Sequence, residues 1–238
     1  MRKAIKLLRL LERASYRRAL TYGVAAAIEH EPFLRGHKFA TVIDAGANKG
    51  QFALAVRAHM PHARILAFEP LQSPAAIFRR MFQSDEIVRL FETALGSSTG
   101  TATIHLSNHL DSSSLLPIGK EQVEVFPHTE EVGTLSIAVT ALDDIADSLG
   151  LRGPTLLKID VQGFELSLLR GAERSLAQFI DDIYVELSYR VLYEGQPLAH
   201  EVIDWLRLHG FVLGGVYNTA FATDGAVVQS DMHFRRLP

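Results

Sequence analysis

Among its 238 residues this chain has no cysteine. That excludes disulfides, a thiol nucleophile and any Cys-based zinc site, and it fits a reducing compartment. It has no run approaching the ~18 consecutive apolar residues of a membrane span. Two ligand signatures are missing as well: the G-x-G-x-x-G dinucleotide fingerprint and the G-x-x-x-x-G-K-[ST] phosphate loop. Tryptophan occurs once, at Trp205, which a helical reading places in the core. What is present is ordinary for a folded soluble protein, with 47% apolar and 21% charged residues. A chain of this length can bury a full core without staples.

Charge is unevenly spread. Residues 1–18 carry seven Lys/Arg against the single acid Glu12, so the net charge of −3 is a +6 segment on a −9 body. A body of that sign is a poor partner for nucleic acid, which is bound by neutralising phosphates. Residues 1–30 read as a helical extension. Leu7, Leu10, Leu11 and Ala14 fall at helical spacing, and Arg2, Lys6, Arg9, Arg13 and Arg17 form a basic stripe. The extension is expected to dock on the domain, with a peripheral membrane or lipid-linked contact through residues 1–18 as the sharper alternative. Cytoplasmic placement is expected.

From residue 40 onward strands and helices alternate. Strands are read at 39–44, 64–69, 87–95, 155–160 and 182–187, with helices from Gly50, near 74–83, over 164–176 and near 199–209. Ser73 and Pro74 predict an N-cap and N1 pair, and Thr140 with Asp143 a capping box closed by Gly150. Two further strands, 100–108 and the short 136–140, lie outside the alternation, and a hairpin turning across 218–225 ends the chain. Such alternation means a mostly parallel sheet with helices on both faces, here a single domain over 31–238. Residues 97–138 form an insert whose polar, loop-like stretch 107–134 is expected to cover a substrate.

Four of the parallel strands end in a carboxylate: Asp44, Glu69, Asp160 and Glu186. In a parallel sheet these ends share one edge, the edge where open α/β sheets bind ligands. The first strand runs into the loop Gly46-Ala47-Asn48-Lys49-Gly50. A pyrophosphate there would lie near Asp44, at a cost on the order of 4 kcal/mol for ~4 Å separation and an effective dielectric of 20. S-adenosylmethionine has the opposite demand, with an ammonium and a sulfonium, no phosphate and one carboxylate. Asp44 suits its cationic end, and the helix start at Gly50 suits its carboxylate. Glu69, 19 residues after Gly50, is placed to accept ribose hydroxyls, though it would serve a nicotinamide dinucleotide equally well.

The stretches VIDAGANKGQF, AFEP, SSSLLP, TALDDI and LLKIDVQGFELSLLRGAE resemble the FkbM family of S-adenosylmethionine-dependent methyltransferases over roughly residues 40–215. Gln162 is a departure, standing where the family commonly has Glu. The resemblance implies a Rossmann-like class I methyltransferase fold, a seven-stranded mostly parallel sheet with an antiparallel last strand. It implies S-adenosylmethionine as cofactor, held by Asp44, Gly46, Ala47, Asn48, Gly50, Glu69 and Leu71. The implied reaction is methylation of a hydroxyl on a sugar or glycoconjugate, or on a polyketide-type product.

A base would help a weakly acidic hydroxyl react. Asp160 is the first candidate by position, although it also reads as a structural acid capping the Gly163 turn. Glu186 is the second, and His109 or His105, in or beside the insert, the third; His200 and His209 read as structural. A metal is not expected, because no Asp-Asn or Asp-Asp pair follows the strand ending at Glu186. Ser112, Ser113 and Ser114 read as a polar turn lining a sugar site. A nicotinamide-dependent oxidoreductase and a non-catalytic cofactor-binding protein are the competing classes.

Overall fold

The computed structural model describes residues 8–237. Seven strands form the main sheet: β1 (Thr41–Ala45), β2 (Arg64–Phe68), β3 (Val88–Phe91), β7 (Thr155–Ile159), β8 (Asp182–Ser188), β9 (Phe211–Phe221) and β10 (Val227–Arg236). Their order is β3-β2-β1-β7-β8-β10-β9, and β10, the last strand in the chain, alone runs antiparallel to both its neighbours. All five residues of β1 and of β7 are buried, as expected for central parallel strands covered on both faces. One layer packs α1 (Ala14–Leu20), α2 (Glu31–Arg35), α3 (Gln51–His59) and α4 (Gln72–Phe82) around Phe33, Val42 and Phe78. On the other face, α6 (Leu142–Leu149), α7 (Glu165–Arg170), α8 (Glu173–Gln178) and α9 (Ala199–Leu208) pack around Ile43, Leu157 and Phe234. The chain passes from β1 to β2 and β3 on one side, then returns to place β7 on the other. The switch point therefore lies between β1 and β7, where such sheets open a crevice.

The insert is a second sheet of order β4-β6-β5, from β4 (Ala94–Leu95), β5 (Gly100–Ser107) and β6 (Glu131–Thr140). Helix α5 (Lys120–Val125) lies between β5 and β6. The expected third strand over 87–95 therefore divides between two sheets, and 136–140 is the end of a ten-residue strand. Stretch 107–134, expected to be loop, contains α5 and a 3-10 turn, Leu110–Ser112. Backbone bridges from His105 to Ser114 and from Ile118 to Tyr193 tie it down.

Residues 8–30 are not one helix. Helical residues 8–12 end at Arg13, which is extended (φ −102°, ψ 133°), before α1 begins. The break lets Leu10 and Tyr16 both reach the core, while Leu11 and Ala14 of the expected stripe are exposed. Past Gly23 the Val24–Ala27 run leaves helix despite its propensity, because Ala27 N–H donates to Gln51 O. Leu7, Arg2 and Lys6 of the two predicted stripes lie outside the described residues, and Arg13 and Arg17 donate to Ala58 O and Leu11 O.

Two cap expectations and one helix length differ in the structure. Leu71 is the N-cap of α4, so Ser73 and Pro74 sit inside its first turn. Thr140 belongs to β6, and Asp143 accepts instead from Arg174 N and Ser175 N at the start of α8. The helix predicted over 164–176 breaks at Gly171, where a Cβ would lie 1.9 Å from Gly96 O. Gly150, left-handed at φ 61°, closes α6 as expected.

Candidate active site

A cavity of about 510 Å³ opens at the carboxyl ends of β1, β2 and β7. Its floor is the loop after β1 and its far wall is the insert, through Leu110, Asp111, Ser113 and Leu115. The near wall, from Gly23 to His30, belongs to the N-terminal segment. Of the predicted cofactor residues, Gly46, Ala47, Asn48, Glu69 and Leu71 line the cavity, and Asp44 and Gly50 do not.

Glu69 organises the floor. Its Oε2 accepts from Asn48 N (2.9 Å) and its Oε1 from Leu71 N (2.8 Å). Burial pushes the Glu69 carboxyl up to about 7 against the pull of those two amides. Each oxygen keeps acceptor capacity for a ligand hydroxyl. Gly46 is required by close approach, since a Cβ there would lie 1.8 Å from Asp160 O.

The loop's backbone offers no cradle to a phosphate, although Lys49 lines the cavity. Gly46 N and Ala47 N donate to Phe68 O, Asn48 N to Glu69, Lys49 N to Asn48 Oδ1 and Gly50 N to Ala47 O. A phosphate cradle needs those amides pointing at the ligand. The first-turn residues of α3, Gln51 and Phe52, border the cavity instead. Amides at that position have no intrahelical acceptor and suit a carboxylate. This donor set fits S-adenosylmethionine and disfavours a nicotinamide dinucleotide.

Asp44 is corrected from a ligand-facing acid to an internal one. Its side chain is fully buried, with Lys158 Nζ 3.2 Å from Oδ1. Burial raises the Asp44 carboxyl, and Lys158 opposes the rise. Lys158 also donates to Gly46 O (3.2 Å) and lies 3.6 Å from Asp160. Burial works against the ammonium, yet Asp44 and Asp160 outweigh it and hold Lys158 protonated. The crevice is thus less acidic than four strand-end carboxylates imply. Lys158 was not singled out in the sequence; the parallel register Asp44↔Lys158 brings it to Asp44.

Asp160 lines the cavity and accepts from Gln162 Nε2 (2.7 Å). It does not cap the Gly163 turn, because Gly163 N donates to Glu165 Oε1. Glu186 is off the cavity wall, 3.3 Å from Gln162 Nε2. Burial, then Asp160, Asp231 and Glu165, push its carboxyl well up. Gln162, left-handed at φ 53°, spans both acids, and Tyr193 OH donates to its Oε1 (2.7 Å). Ser114 Oγ donates to Gln162 O (2.6 Å), linking the insert to this loop. His109 is exposed and off the wall, its ring 6.2 Å from that of His128, and His105 pairs with Glu131. Neither histidine reaches the cavity. His209 stacks on Trp205, away from it.

Among the described residues, the group with metal-ligand spacing is His37, Asp182 and His233. Asp182 begins β8, at the opposite strand end from the cavity. No helix among the described residues is long and apolar enough to cross a membrane.

The family model of the methyltransferase FkbM domain matches residues 44–213. The 2-O-methyltransferase NoeI of Sinorhizobium fredii is 30% identical over 171 residues, 69% of this chain and 70% of that protein. The 31-O-demethyl-FK506 methyltransferase FkbM of Streptomyces tacrolimicus is 28% identical over 205 residues, covering 76% of each. A solved Listeria monocytogenes structure, assigned as an S-adenosylmethionine-dependent methyltransferase, aligns with a TM-score of 0.52 at 9% identity. It covers 89% of this chain and 100% of that one, which establishes the shared fold.

Proposed function

The chain belongs to the FkbM methyltransferase family, and from that footing we propose that it methylates a hydroxyl oxygen of a sugar or glycoconjugate. S-adenosylmethionine supplies an activated methyl group. Glu69 holds the ribose hydroxyls, and the start of α3 takes the donor's carboxylate. Asp160 is the wall anion that complements its positive charge.

The observation that carries the acceptor reading is the far wall. Asp111 and the Ser113 hydroxyl stand beside Leu110 and Leu115. A sugar presents that combination in reverse, with hydroxyls for the polar groups and C–H faces for the leucines. NoeI and FkbM are both named for oxygen as the methylated atom. The FK506 relative, with the apolar Ile104 and Leu115 on the wall, supports a polyketide-type hydroxyl as the second reading. Bringing the acceptor oxygen in line with the methyl can supply ~7–11 kcal/mol of the barrier.

The test is a competition between methyl glycosides and macrolide alcohols, using donor labelled in the methyl. Incorporation into glycosides is expected. Incorporation into macrolides alone would select the second reading, and incorporation into neither would refute both.

A further inference from the structure

We propose that His30, positioned by Asp231, is the general base that removes the acceptor's proton; the assignment rests on the oxygen-directed reading above. His30 ends the 3-10 turn Ile28–His30 and lines the cavity. Its ring meets Phe52 edge-on at 5.3 Å and Tyr184 at 5.6 Å, which fixes its plane. Nδ1 lies 3.2 Å from Asp231 Oδ2, on the buried face of β10. Asn218 Nδ2 donates to that same oxygen at 2.7 Å. Burial opposes ionisation of Asp231, but the His30 and Asn218 contacts keep its carboxyl below the usual range. In this assignment Asp231 holds the proton on Nδ1 and leaves Nε2 to the cavity that His30 lines.

The other ionisable groups on the wall are weaker candidates. Glu69 is engaged by two backbone amides, and Lys158 is a cation held between Asp44 and Asp160. Asp160 is shared by Lys158 and Gln162. Asp111 and Glu29 are exposed carboxylates. In the step assigned to His30, the hydroxyl's O–H bond breaks and its proton passes to Nε2. The electron pair left on oxygen forms the new O–CH₃ bond as the carbon–sulfur pair returns to sulfur. Asp231 then stabilises the imidazolium.

Tyr184 OH, which can donate or accept, and Asn218 Nδ2, a donor, also lie 3.1 Å from Nδ1. The Asn218 contact defines the opposite arrangement, in which Nδ1 accepts and Nε2 carries the proton. Long-range ¹H–¹⁵N correlation spectra of the ¹⁵N-labelled protein separate the two without any acceptor. The Nδ1–H tautomer is expected in the native chain and its loss in Asp231→Asn; an Nε2–H tautomer in the native chain overturns the proposal. On the glycoside or macrolide alcohol that the native enzyme methylates, His30→Gln should lower kcat ~10²–10⁴-fold. Its affinity for S-adenosylhomocysteine should stay within about twofold of native. Turnover by His30→Gln above a tenth of the native rate also overturns it. Native enzyme that shows the Nδ1–H tautomer but methylates no hydroxyl would instead refute the oxygen-directed reading.

Discussion

Asp44 and Lys158 are register partners on adjacent parallel strands, and their buried ion pair, 3.2 Å between Nζ and Oδ1, places Lys158 on the cavity wall with Asp44 behind it. Removing one partner strands the other. Lys158→Met should therefore destabilise the protein by about 3–5 kcal/mol. The double variant Asp44→Asn/Lys158→Met should recover much of that loss. Urea unfolding of both variants measures it, and equal losses would mean the pair is not coupled.

Glu69 is a floor residue with two amides and, by proposal, two ribose hydroxyls. Glu69→Ala removes all four acceptor contacts. Affinity for S-adenosylhomocysteine should fall at least tenfold, since one hydrogen bond to a charged group is worth about 1.5–3 kcal/mol. Isothermal titration calorimetry reads this directly, and unchanged affinity would remove Glu69 from the site.

The alternation of buried strands and helices was legible in the sequence because β1 and β7 are short, wholly buried strands, apolar apart from a threonine and one charged residue each, set at the spacing of a parallel sheet. The loop after β1 was legible through Gly46 and Gly50, which are left-handed at φ 77° and 90°. The chemistry assigned to Asp44 was misread because an acid at a strand end looks ligand-facing until the neighbouring strand's register supplies Lys158. His30 and Asp231 were missed for a related reason. They are 201 residues apart, and each is ordinary in its own stretch; only the antiparallel insertion of β10 beside β8 brings them together. Two strands of the insert's sheet were legible, at 100–108 and 136–140, but the first half of β6 reads as part of the polar stretch because its residues are exposed.

Glu165 provides a pH test away from the cavity wall. Burial pushes its carboxyl up from the usual range to about 7, with the Gly163 amide opposing and Asp160 assisting. A carboxyl raised on folding stabilises the native state below its unfolded value, and that contribution disappears as pH rises through the folded one. Native stability should lose on the order of 3 kcal/mol from this group between about pH 4.5 and 7. Glu165→Gln keeps an acceptor for Gly163 N and removes the titration. The stability gap should therefore shift in the variant's favour across that window, as read by denaturant midpoints at several pH values. A gap independent of pH would show that Glu165 does not titrate there.

Tyr193 bridges the body to the insert through Gln162 Oε1 and Ser112 O. Tyr193→Phe should cost about 1 kcal/mol of global stability. Amide exchange over residues 108–118 should rise more than exchange in β1 or β7. Uniform exchange changes would mean that the insert is held by other contacts.

The central claim is that the activated methyl goes to a hydroxyl oxygen, and the bond it forms is the most direct evidence. Native enzyme would be incubated with ¹³C-methyl-labelled S-adenosylmethionine and an acceptor panel of methyl glycosides, macrolide alcohols and primary amines, and each product read by ¹³C NMR. The account predicts label in methyl ethers of hydroxyl acceptors and in no amine. Label confined to N-methyl or C-methyl products would contradict it.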